Sequence, residues 1–183
     1  MRHKNTLVLF FIFFCISICK IHAKEIVLEN DSISFFNLAA TVKDFQNDGN
    51  LKLIFKDDYY DMSMIYTNSS VDISVNSNIS FIGSKNGSVF DFKKNKLGAF
   101  NISFARTKID TVRFENITFT NYREKVLSDQ GMSLMTINSS ADKYNLIFEN
   151  CNFTENNFIL FDINFACKKT TNPLFSFNNC NFM

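Results

Sequence analysis

A four-residue phrase, Asn, then Ile or Cys, then Ser, Thr or Asn, then Phe, occurs five times in the 183-residue chain, beginning at Asn78, Asn101, Asn116, Asn150 and Asn179. The successive gaps are 23, 15, 34 and 29 residues. Three of the four suit one turn of a coiled parallel β-solenoid, whose repeats bury their apolar face only by stacking on their neighbours. The gap of 15 is too short for a turn, which predicts that Asn101 corners a different face.

The geometry inside one copy follows from alternation. If Phe114 points inward, Glu115 points outward, and a corner at Asn116 resets the phase so that Ile117 and Phe119 both point inward. Asparagine suits that corner because it tolerates left-handed backbone angles. Stacking the three best copies at the strand spacing of about 4.8 Å places like on like. Asn116, Asn150 and Asn179 then form a corner ladder whose amides bond along the axis. Ile117, Cys151 and Cys180 share one buried site, and Phe114, Phe148, Phe177, Phe119, Phe153 and Phe182 fill the core.

The rest of the chain agrees with many short strands. With 23 Phe and 24 Asn against one Pro and no Trp, composition favours strands and frequent turns. One amphipathic helix is predicted in 34–50, with Leu38, Val42 and Phe45 at helical spacing, Asn37 as N-cap and Gly49 as its stop. Before it, Ile26, Leu28 and Ile33 mark a first strand; after it come LKLIF, VDISV, ISFI, SVFDF, AFNISF, TVRFENITF, LMTI, YNLIFENCNF, FILFDINF and LFSFNNCNF.

Residues 1–23 differ in kind from the rest. Arg2, His3 and Lys4 precede the apolar run from Leu7 to Cys19, and Ala23 offers a small residue for cleavage, the pattern of a secretory signal peptide. Ile21, where a small residue is usual, keeps an uncleaved anchor as the alternative. The remaining segment, 24–183, is about 160 residues and suits one domain. A secreted or cell-surface location follows. Eight N-x-S/T sequons agree with it, although 24 Asn among 28 Ser plus Thr would produce about four by chance. Asn30, Asn68, Asn86, Asn138 and Asn152 are the candidate glycosylation sites, with Asn152 facing outward and Asn116 held in its corner.

At this point the chain resembles the pectin lyase-like superfamily of right-handed parallel β-helices. The resemblance rests on NLAATVKDFQNDG as a capping helix, LKLIFKDDYYD, and SNISFIGSKNGSVFDF as an opening turn. FENITFTN, FENCNFTEN and FNNCNF are similar to the Phe- and Asn-rich coils of polymorphic outer membrane proteins. The fold expected is all-β, a right-handed parallel β-helix with a short N-terminal capping helix. The resemblance also implies a rival function, because enzymes of this fold usually cleave acidic polysaccharides.

Few residues could carry that chemistry. A hydrolase needs paired carboxylates, and the family's pectin hydrolases add a histidine. His3 and His22, the two histidines, both lie in the leader. The one carboxylate cluster, Asp57, Asp58 and Asp61, reads best as a solvated turn with Tyr59 and Tyr60 packed behind it. A lyase would need a base such as Arg106, Arg113 or Arg123, but Arg113 beside Glu115 reads as a surface charge pair. Lys93, Lys94, Lys96, Lys168 and Lys169 read as solvated loop charges, and a formal charge of +1 gives nucleic acid no purchase.

Zinc lacks a C-x-x-C pair. The three cysteines beyond the leader, Cys151, Cys167 and Cys180, are an odd number, and stacked Cys151 and Cys180 would point the same way, which argues against a disulfide between them. The expectation is therefore a non-catalytic, structural or adhesive protein without metal or cofactor, with polysaccharide binding or cleavage as the alternative. Because FNNCNFM closes the sequence inside a repeat, an open strand edge is expected there, available to self-association or to a further β-helix segment. A surface polysaccharide or protein is the other partner expected.

Overall fold

The computed structural model describes residues 23–66, 70–95, 97–104, 109–122, 133–140, 143–157, 159–165 and 175–183. Residues 1–22 of the expected leader, Asn68, Lys96, Arg106, Arg123, Cys167, Lys168 and Lys169 lie outside these residues. The described strands form three sheets in which every pairing is parallel.

The first sheet contains β1 (Lys24–Leu28), β2 (Leu51–Phe55), β5 (Ile79–Ile82), β8 (Thr111–Glu115), β11 (Asn145–Glu149) and β14 (Phe175–Asn178), in that order. The second runs β3 (Tyr59–Asp61), β6 (Ser88–Asn95), β9 (Ile117–Tyr122), β12 (Asn152–Thr154), β15 (Asn181–Phe182). The third runs β4 (Ser70–Val75), β7 (Ala99–Phe104), β10 (Met135–Ser139), β13 (Phe161–Phe165). From β2 onward the chain visits the three sheets in fixed rotation, so each strand pairs with the strand one circuit earlier and one circuit later. Parallel pairing requires such a crossover, because a tight hairpin can join only antiparallel neighbours.

Alternation sets the inside of this winding. β4, β5, β8 and β11 each bury every second residue. The register then stacks like on like: Phe81 on Phe114, Phe114 on Phe148, and Phe148 on Phe177 in the first sheet. Their rings lie nearly parallel, with centroids 4.6, 5.3 and 5.0 Å apart. A second column in the second sheet stacks Phe119, Phe153 and Phe182 at 5.0 and 4.9 Å. The two columns meet edge to face, as at Phe148 and Phe153 (5.5 Å, 69°), an arrangement that suits the ring quadrupoles. Ile73, Ile102 and Ile137 supply the third wall.

Three members of the expected core differ. Phe177 is 39% exposed and Phe182 52% exposed, and Cys180 is only half-buried, because no described strand lies beyond β14 and β15 to cover them.

The predicted helix is two. α1 (Ile33–Phe36) and α2 (Leu38–Phe45) meet at Asn37, which makes no side-chain cap bond; Ser32 is the residue whose hydroxyl accepts from an early helical N–H, that of Phe35. A 3-10 turn, Gln46–Asp48, follows, and Gly49 ends it with φ 123°. The helices bury Phe35, Leu38 and Val42 in the common core, and the Phe35 ring meets Tyr60 at 4.9 Å. They cover the end of the winding that β1 to β4 begin.

Residues 56–58 and 83–87 span the first two corners between the first and second sheets, whereas the next three are one or two residues long and turn at Asn116, Asn150 and Asn179, with φ of 56°, 53° and 52°. Asn150 Nδ2 donates to Asn116 Oδ1 and Asn179 Nδ2 to Asn150 Oδ1, both at 3.2 Å. Asn101 is not a corner. It sits inside β7 with its amide on the outer face, so the 15-residue gap separates positions in different sheets.

Replacing Asn150 separates its two contributions. N150A is expected to cost about 2 kcal/mol, through left-handed strain and the two lost ladder bonds. N150G keeps the backbone angle and should cost about half as much. Urea unfolding measures both; equal losses would show that backbone conformation is not what the asparagine supplies.

Candidate functional site

A connected group of polar side chains stands on the outer face of the second sheet, where it turns toward the third. Tyr59 of β3, Asp91 and Lys93 of β6, and Asn121 at the end of β9 come from three successive circuits, brought together by the pairing of β3, β6 and β9. Asp91 occupies an outward position between the inward Phe90 and Phe92, yet is only 8% exposed. The strand irregularity that follows is the reason. Lys93 and Lys94 adopt φ of 54° and 56°, the register slips between Asp91 and Asn95, and the chain folds back over the carboxylate.

Both oxygens of Asp91 are fully occupied. Oδ1 accepts from Lys93 N (2.8 Å) and Asn121 Nδ2 (3.1 Å). Oδ2 accepts from the Tyr59 hydroxyl (2.8 Å) and lies 3.3 Å from Lys93 Nζ. Burial pushes the Asp91 carboxyl up, but these hydrogen bonds outweigh it and hold it below the usual range. Burial raises the Tyr59 phenol, and the bonds to Tyr59 and Asp91 push Lys93 up to about 12. The Lys93 ammonium also sits 5.0 Å from the Tyr59 ring centroid. The hydrogen bonds and the ion pair among these groups pin three successive circuits together. Sequence reasoning missed it, taking Lys93 as a solvated charge. The available signal was Phe-Asp-Phe followed by two lysines, an alternation that stops abruptly.

The three carboxylates considered for hydrolysis do not converge. Asp57 accepts from Asn30 N (2.8 Å), Asp58 from Ser84 Oγ (2.6 Å), and Asp61 from Ser63 N and Oγ (3.0 and 2.6 Å). Each fastens a different turn. Behind them Tyr60 is buried, its hydroxyl donating to Leu28 O at 2.6 Å, and burial pushes its pKa up to about 12. Arg113 reaches Glu149 at 2.8 Å and Glu115 at 3.6 Å. Among the described residues, no group of three His, Cys, Asp or Glu could hold a metal ion.

An open cleft of ≈ 480 Å³ lies between α2 and β4, lined by Ala39, Lys43, Gln46, Asp72, Ser74 and Asn76 among others. Elsewhere the outer faces carry ladders of bonded side chains. Asn138 Nδ2 donates to Asn101 Oδ1 and Asn101 Nδ2 to Asp72 Oδ1, both at 2.9 Å. Asn181 Nδ2 donates to Asn152 Oδ1 (2.9 Å) and Asn152 Nδ2 to Thr118 Oγ1 (3.3 Å). Of the candidate glycosylation sites, Asn30 and Asn86 are exposed, while the amides of Asn138 and Asn152 are engaged in these ladders.

Comparison with protein-family models finds no match, and comparisons with curated proteins and with solved structures find none either.

Both described cysteines are free. Cys151 takes the buried position that Ile117 holds one circuit earlier, and its thiol reaches Phe114 O at 3.5 Å. Burial pushes it up to about 11, so it stays protonated at neutral pH and is a poor nucleophile. Cys180, on the last described circuit, is half-buried. In the native protein an alkylating reagent should therefore modify Cys180 at least about tenfold faster than Cys151. Peptide mapping reads the two sites separately, and equal rates would remove Cys151 from the core.

Proposed function

We infer that this winding is a right-handed parallel β-helix, formed by residues 24–183 after a secretory leader at 1–23, and that the protein is a secreted or cell-surface scaffold with a structural or adhesive role rather than a catalyst. One observation carries the reading. The outward side chains that an active site would leave free to meet a substrate are spent on one another, in the Asp72–Asn101–Asn138, Thr118–Asn152–Asn181 and Asn116–Asn150–Asn179 ladders. Groups so paired stiffen a rod and hold its circuits in register. The exposed sequon asparagines Asn30 and Asn86 are compatible with a glycosylated extracellular surface.

Polysaccharide binding is the second reading, favoured by the cleft between α2 and β4. Incubation of the purified chain with pectin and polygalacturonate, with and without calcium and across acid and neutral pH, tests both. The expected result is no new reducing ends and no unsaturated product. Cleavage that D57A or D58A abolishes would overturn the structural reading, and retention of the polymers without cleavage would establish the second.

A further inference from the structure

The first strand of the third sheet has one edge with no strand beside it. β4 is the end member of that sheet, and the chain packs α2 next to it in place of a strand. Backbone directions in β4 follow from the next pairing along. Phe100 N donates to Leu134 O and Phe104 O accepts from Ser140 N, so Phe100, Ile102 and Phe104 address β10, while Asn101 and Ser103 address β4. Each such residue bonds the two that flank its partner. Val71, Ile73 and Val75 therefore serve β7, and the N–H and C=O of Asp72 and Ser74 turn to the open edge.

One rung of that edge is already filled, by a side chain. Asn76 N, next on the same side, donates to Gln46 Oε1 at 3.2 Å, so the Gln46 amide stands where a peptide carbonyl of an added strand would stand. A backbone N–H can only donate, which fixes the amide with Oε1 toward Asn76 and Nε2 away from it. Gln46 is 4% exposed and lines the cleft between α2 and β4, and its Nε2 has no hydrogen-bond partner among the described residues. A nearly buried side chain thus brings two unspent donors to the cleft, an arrangement that costs free energy until an acceptor arrives.

The ≈ 480 Å³ of the cleft supplies the other contacts. Ser74 offers the next main-chain N–H and C=O, and Val42 and Ile73 give an apolar floor. Lys43, in the last turn of α2, lines the cleft and makes no ion pair among the described residues. No aromatic ring is among the lining residues, so a sugar would have nothing to stack on.

We propose that this cleft binds a short extended peptide, paired through its main chain with the edge of β4 at Ser74, with a carbonyl accepting from Gln46 Nε2 and an acidic group at Lys43. Main-chain hydrogen bonds supply the affinity of such strand addition, and side chains its specificity. The proposal holds whether or not the protein is catalytic.

The test uses the full chain, isotope-labelled in nitrogen for magnetic resonance, and the peptide acetyl-Glu-Val-Thr-Val-Glu, whose two acidic ends serve either strand direction. Titration should shift the Gln46 side-chain amide and the Ser74 backbone amide saturably. The same peptide N-methylated at its three central residues loses the donors for Ser74 O and should bind at least about tenfold more weakly. S74A keeps the backbone N–H and should bind within about twofold of the unaltered chain, whereas S74P removes it and should weaken binding at least about tenfold. Proline is tolerated where an edge strand's N–H faces outward, and circular dichroism checks the fold of S74P. K43Q should abolish the preference for this peptide over its Gln-ended counterpart. Absence of saturable shifts at Gln46 and Ser74, equal binding of the methylated peptide, or equal losses in S74A and S74P overturns the proposal. So does saturation of the same resonances by cellotetraose and not by the peptide, since the occupant would then be a saccharide.

Discussion

Replacing Phe148 with Ala should lower the unfolding free energy by about 3–5 kcal/mol, the range for deleting a buried aromatic ring. Phe148 is fully buried, stacked on Phe114 at 5.3 Å and beneath Phe177 at 5.0 Å, and it meets Phe153 and Phe161 edge-on at 5.5 Å. The surrounding rings belong to strands held in register on both sides, so they have little freedom to collapse into the cavity. F182A provides the contrast. Phe182 is 52% exposed and has a single stacked neighbour, Phe153, so its loss should cost about 1 kcal/mol. Urea unfolding followed by circular dichroism measures both. Equal costs would mean that stability is not carried by the interior of the phenylalanine columns.

Gly83→Ala should be nearly as damaging, at about 3 kcal/mol, for a different reason. Gly83 has no positive φ that only glycine favours; its constraint is space. A Cβ there would lie 2.1 Å from the carbonyl oxygen of Asn116 and 3.0 Å from Ser88 N. Those atoms are backbone and are tied together, Ser88 N donating to Asn116 O at 2.9 Å and Gly83 N to Glu115 O at 2.8 Å. A methyl group therefore forces apart two circuits at the base of the asparagine ladder. Gly87 lies four residues on with φ 91°, and an added Cβ there would still be 3.6 Å from Asn116 O. G87A should accordingly cost only about 1 kcal/mol, as left-handed strain. If G83A is as mild as G87A, the close approach of these circuits is not what the glycine permits.

Much of this architecture is written locally. Alternation of Phe, Ile and Val with polar residues marks the strands, because side chains on a pleated strand point to opposite faces whatever the strand pairs with. Asparagine breaking that alternation at Asn116, Asn150 and Asn179 marks corners, because its tolerance of left-handed angles is a property of the single residue. These short-range regularities, repeated at one-circuit spacing, suffice for parallel strands and a phenylalanine interior.

What they leave open depends on neighbours distant in sequence. Asn101 and Asn116 begin nearly the same phrase, yet one lies inside β7 and the other turns a corner, a difference made by which strand stacks below each. The burial of Asp91 requires Tyr59 and Asn121, 32 and 30 residues away, so the window around Asp91 shows only that the alternation stops and not what covers the carboxylate. The break at Asn37 between α1 and α2 follows the surface on which Phe35 and Leu38 must both pack. The residue pattern, then, decided which side chains point inward and where the chain bends, since backbone sterics and period-two alternation act within a few residues. Only the stacking of circuits decided which polar groups meet, which way their amides face, and which phenylalanines are left in the open, because hydrogen-bond polarity and burial are properties of the assembled column.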